Sequence, residues 1–289
     1  MTAGESTAQG AALVRVAAGR RWYESRNLVI GLALLAAIGV LAAFAPYFTG
    51  YNPTGQHIAH ALEGPSGNHL LGTDRLGRDV WSRLVYAARI DLAVAVSVEV
   101  IPFCIGITLG CLAGYYGGVL DTIVSRAADV VMAFPFYVLI IAFVFMLGTG
   151  VVSIFVTFTI ISWVWYARLI RSEVLVAKQQ EYVVAARSAG FSGPRIILRH
   201  IMPNVITQAY IFSMSDIVLN ILGIVTLGFL GLGIQPPTPE WGQMISDGQE
   251  FMSTHWMLAT LPGVAVVITG LALSLIGDGL ADWLRPESR

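Results

Sequence analysis

Ser213, Asp216 and Asn220 follow one another at spacings of three and four within an apolar stretch, so a helix places all three on one face. An ionised Asp at the centre of a membrane span costs ~2.5 to 3.5 kcal/mol on insertion scales, and therefore requires water or a partner. The face is expected either to line a translocation cavity or to join a hydrogen-bond network between helices. Glu99 is a second acid in an apolar stretch, about two turns from Asp91, and is expected to snorkel outward or pair with a loop arginine, with substrate contact as the alternative. Nothing resembles a catalytic or metal-binding set. Cys104 and Cys111 lie in one helical segment about 10 Å apart along its axis, which excludes a disulfide within it. The histidines, His57, His60, His69, His200 and His255, sit in loops or at helix ends and converge with no cysteine or carboxylate pattern. The only lysine, Lys178, stands between Ala177 and Gln179, whereas a phosphate-binding loop requires Lys followed by Ser or Thr after a glycine-rich turn. No cofactor, metal or nucleotide chemistry is expected in this chain.

The elements that position these residues are apolar helices. With 56% hydrophobic and 12% charged residues, the chain belongs in lipid, and 17 Lys and Arg against 18 Asp and Glu give no reason to expect nucleic acid as a partner. Six segments are long enough to cross ~30 Å of hydrocarbon at ~1.5 Å per residue. They are 28–48, 92–116, 130–147, 151–167, 205–234 and 256–276. The first is too long for a signal-peptide core and reads as a retained span, preceded by a cytoplasmic segment, 1–27, with an interfacial helix around Arg15, Arg20, Arg21 and Arg26. Gly148-Thr149-Gly150 turns the third segment back into the fourth. Gly106, Gly110, Gly114 and Gly118, and Gly263, Gly270 and Gly277, mark faces where another helix can approach closely.

Orientation follows from the basic residues. A cytoplasmic N-terminus puts Arg126, Arg168, Arg171, Lys178, Arg187, Arg195, Arg199, Arg285 and Arg289 inside, with both termini. Arg75, Arg78, Arg83 and Arg89 are the exceptions, in an outer loop at 49–91 where they are interleaved with Asp74, Asp79 and Asp91. Arg75, Arg78 and Arg83 are expected either to hold a substrate-delivery protein or to lie on a solvated or headgroup-facing amphipathic helix. The core of the protein is assigned to 92–284, with a short tail at 285–289.

The segment 168–203 is polar, basic and long enough for two short helices. Val183, Val184 and Ala186 give the first an apolar side, Gly190 is placed to end it, and Ser192 with Pro194 to begin the second, which Pro203 closes as it opens the fifth span. Within it Glu181, Ala185, Ala186, Gly190 and Pro203 resemble the cytoplasmic EAA loop of ATP-binding-cassette (ABC) importer permeases. Two further stretches narrow the resemblance to the C-type subunit of the dipeptide and oligopeptide permease family. One is Leu71-Gly72-Thr73-Asp74-Arg75-Leu76-Gly77-Arg78-Asp79, followed by Ser82-Arg83-Leu84; the other is Gly231-Leu232-Gly233-Ile234-Gln235-Pro236-Pro237-Thr238-Pro239-Glu240-Trp241-Gly242. Gly277-Asp278-Gly279-Leu280 agrees near the end. Ala87 and Asp91 depart from the family's usual Gly and Ser, Glu99 interrupts the second span, and Arg285 replaces an Asp before Pro286.

The resemblance implies an all-α polytopic protein with six transmembrane helices, the type I importer permease fold, in a bacterial cytoplasmic membrane. It implies no enzymatic activity here, with ATP and Mg bound by two partner ATPase subunits that dock on the loop at Glu181. A second, B-type permease and an extracytoplasmic substrate-binding protein complete the assembly. The implied cargo is a di- or oligopeptide, with nickel, haem or glutathione as alternatives within the same transporter type. A secondary transporter would show inverted repeats around intramembrane charges, and inspection finds none.

Overall fold

The computed structural model describes Tyr23 and residues 25–284. The expected interfacial helix around Arg15, Arg20 and Arg21, and the tail with Arg285 and Arg289, lie outside the described residues. Among those described the fold is all-helical, with one isolated bridge between Thr73 and Asp79.

Helix α1 (Arg26–Ala43) starts where the Ser25 hydroxyl accepts from Leu28 N, and a single turn, α2 (Ala45–Phe48), follows. Helix α3 (Val80–Tyr116) begins well before the expected 92, because Asp79 caps it by accepting from Ser82 N at 2.8 Å and Ser82 Oγ at 2.7 Å. Residues 80–91, expected in the outer loop, are therefore helical. Gly117, at φ 68°, ends α3, a conformation that favours glycine.

The third apolar segment is not one straight helix. Helix α4 (Gly118–Met132) and α5 (Phe136–Leu147) meet at a bend of 89°. Pro135 stands at the break; it has no N–H to continue α4 and disfavours helical backbone at Phe134. Among the described residues five helices are thus long and apolar enough to cross a membrane, or six when the bent pair counts as one.

Gly148 (φ 92°) and Gly150 (φ 117°) make the expected tight turn into α6 (Val151–Ala177). This helix runs past 167, so Arg168 and Arg171 extend it rather than open a loop. Arg171 Nη2 reaches Asp121 Oδ2 at 2.8 Å and Arg168 Nη2 reaches Asp129 Oδ1 at 2.7 Å, tying α6 to α4. The glycine stripe on α3 faces α6 as expected. A Cβ at Gly106 would lie 2.6 Å from Trp163 O, at Gly110 2.7 Å from Ala167 O, and at Gly114 2.9 Å from Val174 Cβ, while Gly118 meets nothing.

The remaining helices are α7 (Glu181–Ser188), α8 (Gly193–Ile196), α9 (Met202–Phe229), α10 (Trp241–Gln249) and α11 (Met257–Leu284), with a π-turn, Ile197–Ile201, joining α8 to α9. The stripe expected on α11 is a looser contact: Gly263 meets nothing, and Cβ atoms at Gly270 and Gly277 would lie 3.5 Å from Val218 and 3.2 Å from Met214. The close approach lies elsewhere on α11. A Cβ at Gly279 would lie 2.5 Å from Leu28 N, and one at Gly31 2.7 Å from Ala272 O, which locks α1 antiparallel to α11.

Among the described residues two large apolar clusters fill the interior, with a small third one at Ala113, Val124 and Ala167. One, with Val98, Phe158, Ile221 and Trp241, lies beneath the loops around 49–79 and 235–256. The other, with Ile107, Tyr166, Ile170, Val174, Val183, Ile196 and Ile201, lies beneath α7 at the opposite end.

Candidate functional site: a loop helix, an outer cap and a polar seam

Helix α7 follows Gln180, whose extended backbone turns the chain sharply after α6. Glu181 occupies its exposed first turn, where a carboxylate complements the helix dipole. Val183 and Ala186 are buried against the cluster that holds Ile196, Ile197 and Ile201. The opposite face, with Glu181, Tyr182, Val184 and Ala185, is exposed, as is Leu198 beside it in the chain's next turn. Of the two alanines singled out by sequence, Ala185 faces outward and Ala186 packs inward. Gly190 has φ 78°, and Gly190 N and Phe191 N donate to Arg187 O at 3.0 Å and Ala186 O at 3.2 Å, so the helix ends in a left-handed cap as its position predicts.

The loop is anchored from both sides. Lys178 Nζ donates to Gly114 O at 2.9 Å, placing a cation on the free carbonyls at the end of α3. Arg195 lies over the Phe191 ring at 4.3 Å and Arg187 over Tyr115 at 5.8 Å. Ser192 is the N-cap of α8 by backbone, without a side-chain bond, and Pro194 is in its first turn. Pro203 opens the fifth span as expected, but the short helix before it does not end there. Pro203 lies in the first turn of α9, and the π-turn before it accommodates the missing N–H, so the chain continues as one span from Gly193 to Phe229.

At the other end, the two motif loops fold onto each other. Gly72 (φ 77°) and Gly77 (φ 70°) adopt left-handed backbone against neighbouring main chain; a Cβ at Gly77 would lie 1.8 Å from His57 O. Asp74 accepts from Leu76 N at 2.9 Å, Arg78 N at 3.0 Å and Arg78 Nε at 2.6 Å. Asp247 of α10 accepts from Arg75 at 2.9 Å and Arg78 at 3.4 Å, while Arg83 donates to Pro53 O at 3.1 Å. Arg78 and Arg83 are thus buried and satisfied within the chain, neither solvated nor offered to a delivery protein. Asp79 also meets His69 Nδ1 at 2.9 Å.

Trp241, fully buried, donates from its backbone N to Asp91 Oδ2 at 3.0 Å and from Nε1 to Leu84 O at 3.2 Å. Glu240 caps α10 by accepting from Gly242 N at 2.6 Å and Gln243 N at 2.7 Å. Gly228 leaves it room, since a Cβ there would lie 1.9 Å from Glu240 Oε2. Gln235 Nε2 donates to Gly231 O and Gly233 O, and the Pro236-Pro237 bond is cis.

Between these ends lies a polar seam. Ser213, Asp216 and Asn220 share a face of α9 as predicted, and in this structure that face is closed, with exposures of 5%, 3% and 0%. It meets Glu99 of α3 and Tyr166 of α6: the Tyr166 hydroxyl donates to Glu99 Oε1, and Asn220 Nδ2 donates to Glu99 Oε2 at 2.7 Å. Asp216 lies against Glu99 and Tyr166, and Ser213 Oγ donates to Tyr210 O at 2.8 Å. Glu99 does not snorkel and meets no arginine. It is 5% exposed and bonded across three helices, because α6 and α9 cover it.

Residues 106–289 match the family of binding-protein-dependent transport system inner membrane components, and residues 17–65 match the N-terminal transmembrane domain of oligopeptide transport permease C. The chain belongs to this permease family. A glutathione transport system permease of Pectobacterium atrosepticum is 41% identical over 269 residues, covering 92% of this chain and 89% of that one. A dipeptide transport system permease of Alkalihalophilus pseudofirmus is 36% identical over 266 residues, covering 92% and 88%. A nickel transport system permease of Escherichia coli is 34% identical over 267 residues, covering 92% and 95%. The MetNI methionine ABC transporter, in inward-facing conformations, aligns with a TM-score of 0.58 and 18% identity over 71% of this chain and 97% of that one, a likeness of fold.

For this permease, sequence reasoning missed Tyr166 as a partner of Glu99 and Lys178 as the anchor of the loop. No local signal could have found the first. The bond joins residues 67 apart on two helices, and either side chain alone is compatible with a lipid-facing or a buried position.

Proposed function

We propose that this permease is one of two membrane subunits of an ATP-driven, binding-protein-dependent importer of di- and oligopeptides, and that α7 is the element through which ATP hydrolysis drives it. The observation that carries the reading is the exposed face of α7. Glu181, Tyr182, Val184 and Ala185 form a small, mixed apolar and acidic surface on a short helix whose other face is packed and whose end is fixed at Gly190. Such a surface suits a cleft on another protein. In this reading two ATPase subunits bind ATP and Mg and dock at α7, where Glu181, Ala185, Ala186 and Gly190 set the contact, with Pro203 at the base of α9. A homologous B-type permease supplies the other half of the path, and an extracytoplasmic binding protein delivers cargo to the end that carries the Asp74 and Asp247 cap. The chain lies in a bacterial cytoplasmic membrane with both termini and α7 inside.

Alternating access follows as a rigid-body change biased by nucleotide on the ATPases. Ser213, Asp216 and Asn220 would reach cargo only in a state where the seam between α3, α6 and α9 parts. Relatives named for dipeptide, glutathione and nickel transport stand at comparable identity, so the cargo rests on the peptide family resemblance, and glutathione is itself a small peptide.

The test uses proteoliposomes holding this chain, its neighbouring-gene permease, ATPases and binding protein. Labelled dipeptide, glutathione, haem and nickel are offered separately, with and without ATP. Uptake of peptide that requires both ATP and binding protein is expected. Uptake driven by an ion gradient without ATPase subunits would make the chain a secondary transporter, and uptake of nickel or haem alone would reassign the cargo.

A further inference from the structure

The seam between α3, α6 and α9 is short of hydrogen-bond donors. Glu99 Oε1 and Oε2 take the Tyr166 hydroxyl and the Asn220 amide N–H, while Asp216 Oδ2 and Asn220 Oδ1, both buried, have no donor at all. A buried carboxyl oxygen such as Asp216 Oδ2, without a donor and beside a second carboxyl, points to a missing donor between the two. The two carboxyls also face each other, and no Lys, Arg or His among the described residues forms an ion pair with either.

We propose that Glu99 and Asp216 bind one exchangeable proton between them, making this seam a proton-binding site inside the membrane. Three occupants could relieve a donor deficit, and they differ in what else they do. A water adds donors but leaves two like charges in contact without solvent. A metal ion would have only two carboxylates and an amide oxygen to hold it, with no third His, Cys, Asp or Glu joining them among the described residues, and it would need room in a closed site. A proton on one carboxyl supplies an O–H donor and removes one of the two charges. It is also the only one of the three that needs no room in a site where Glu99, Asp216, Tyr166 and Asn220 are 5% exposed or less. The titratable groups that face the site are Glu99 from α3, Tyr166 from α6 and Asp216 from α9. Cargo does not reach it in this closed arrangement, so the inference is independent of what the permease carries.

Infrared difference spectra of the assembled transporter in lipid nanodiscs at neutral pH test it. Wild type minus Glu99→Gln and wild type minus Asp216→Asn should each show loss of the same protonated carboxyl stretch, and that band should shift in D2O. Either amide supplies the N–H that replaces the proton, so the remaining carboxyl ionises. Absence of an exchangeable carboxyl band from both difference spectra overturns the proposal. Melting gives a second reading: Asp216→Asn, whose NH2 replaces an oxygen that accepts nothing, should melt near wild type and Asp216→Ala clearly lower. Equal loss in both variants would mean that packing, not a donor between Asp216 and Glu99, is what the site requires, and would overturn the proposal. Should Glu99→Gln fail to assemble, Asp216→Asn reads the same band.

Discussion

At the scale of single residues, Gly190 and Glu240 carry opposite kinds of constraint. Gly190 has no neighbour within 4 Å of where a Cβ would stand, so only its backbone, at φ 78°, resists substitution. Gly190→Val should therefore cost about 1 kcal/mol or more through left-handed strain and tilt the end of α7 without disturbing the spans. The expected outcome is a chain that stays in the membrane but loses binding-protein-stimulated ATPase activity and uptake in the full proteoliposome; Glu181→Ala should do the same more mildly. Wild-type activity in Gly190→Val would remove α7 from the coupling path. Glu240 is constrained by burial, which pushes its carboxyl up to about 7 against the pull of the Gly242 and Gln243 N–H donors. Since that value lies above the ordinary 4.5, its contribution to holding the cap is full below 4.5 and is lost as pH rises through about 7. Proteolysis of the 235–254 loop, normalised to denatured protein, should accelerate over that window in wild type and stay flat in Glu240→Gln.

At the scale of elements, the α3–α6 pair is held by absent side chains. The Cβ contacts that Gly110 would make are to backbone, Ala167 O at 2.7 Å, which cannot rotate away. Gly110→Val should force the two helices apart and strip the chain from the assembled complex, measured by co-purification with the second permease. Gly39, whose Cβ would meet nothing within 4 Å, is the matched control and should tolerate Ala. The start of α3 depends instead on a cap. Asp79→Ala removes the acceptor for Ser82 N and Ser82 Oγ and should cost about 1 kcal/mol, seen as a lower melting point of the complex with transport retained at low temperature. These two variants separate packing from capping along the same helix.

At the scale of the whole molecule, the motif-loop cap and α7 are at opposite ends, since the Asp74, Asp247 and Trp241 contacts gather one set of loops and the Lys178 contact with Gly114 the other. The proposed orientation, with both termini inside, predicts that a cysteine at Ser246 labels from outside intact cells and one at Ser192 does not; the reverse pattern would invert the topology. Nor does the face of Ser213, Asp216 and Asn220 line an open path among the described residues. The described polar seam is shut, and large apolar residues such as Val119, Phe145, Met146 and Val152 remain exposed. ATP-driven transport by this chain with ATPases and binding protein but no second permease would contradict the two-permease arrangement.

The sequence by itself determined where the apolar segments lie, though not where their helices begin and end, together with the glycine turn at 148–150, the α3 stripe and the left-handed end of α7. Each of these is local: apolar length, i to i+4 spacing, or one residue type at one backbone conformation. It also determined that Ser213, Asp216 and Asn220 share a face, because helical period alone does that. Only the tertiary structure decided what that face meets. Glu99 reads the same in sequence whether it snorkels or is covered, and the choice rests on α6 and α9 closing over it. The outer arginines were legible as charges but not as partners, because Arg75 and Arg78 find Asp247 on a helix about 170 residues away in the chain. The 89° break between α4 and α5 is intermediate: Pro135 marks the position, while the bonds of Arg168 and Arg171 of α6 to Asp129 and Asp121, which tie α4 in place, join residues 39 and 50 apart in the chain. Local steric rules survive any fold, whereas pairing between distant charges exists only once the helices have chosen their neighbours.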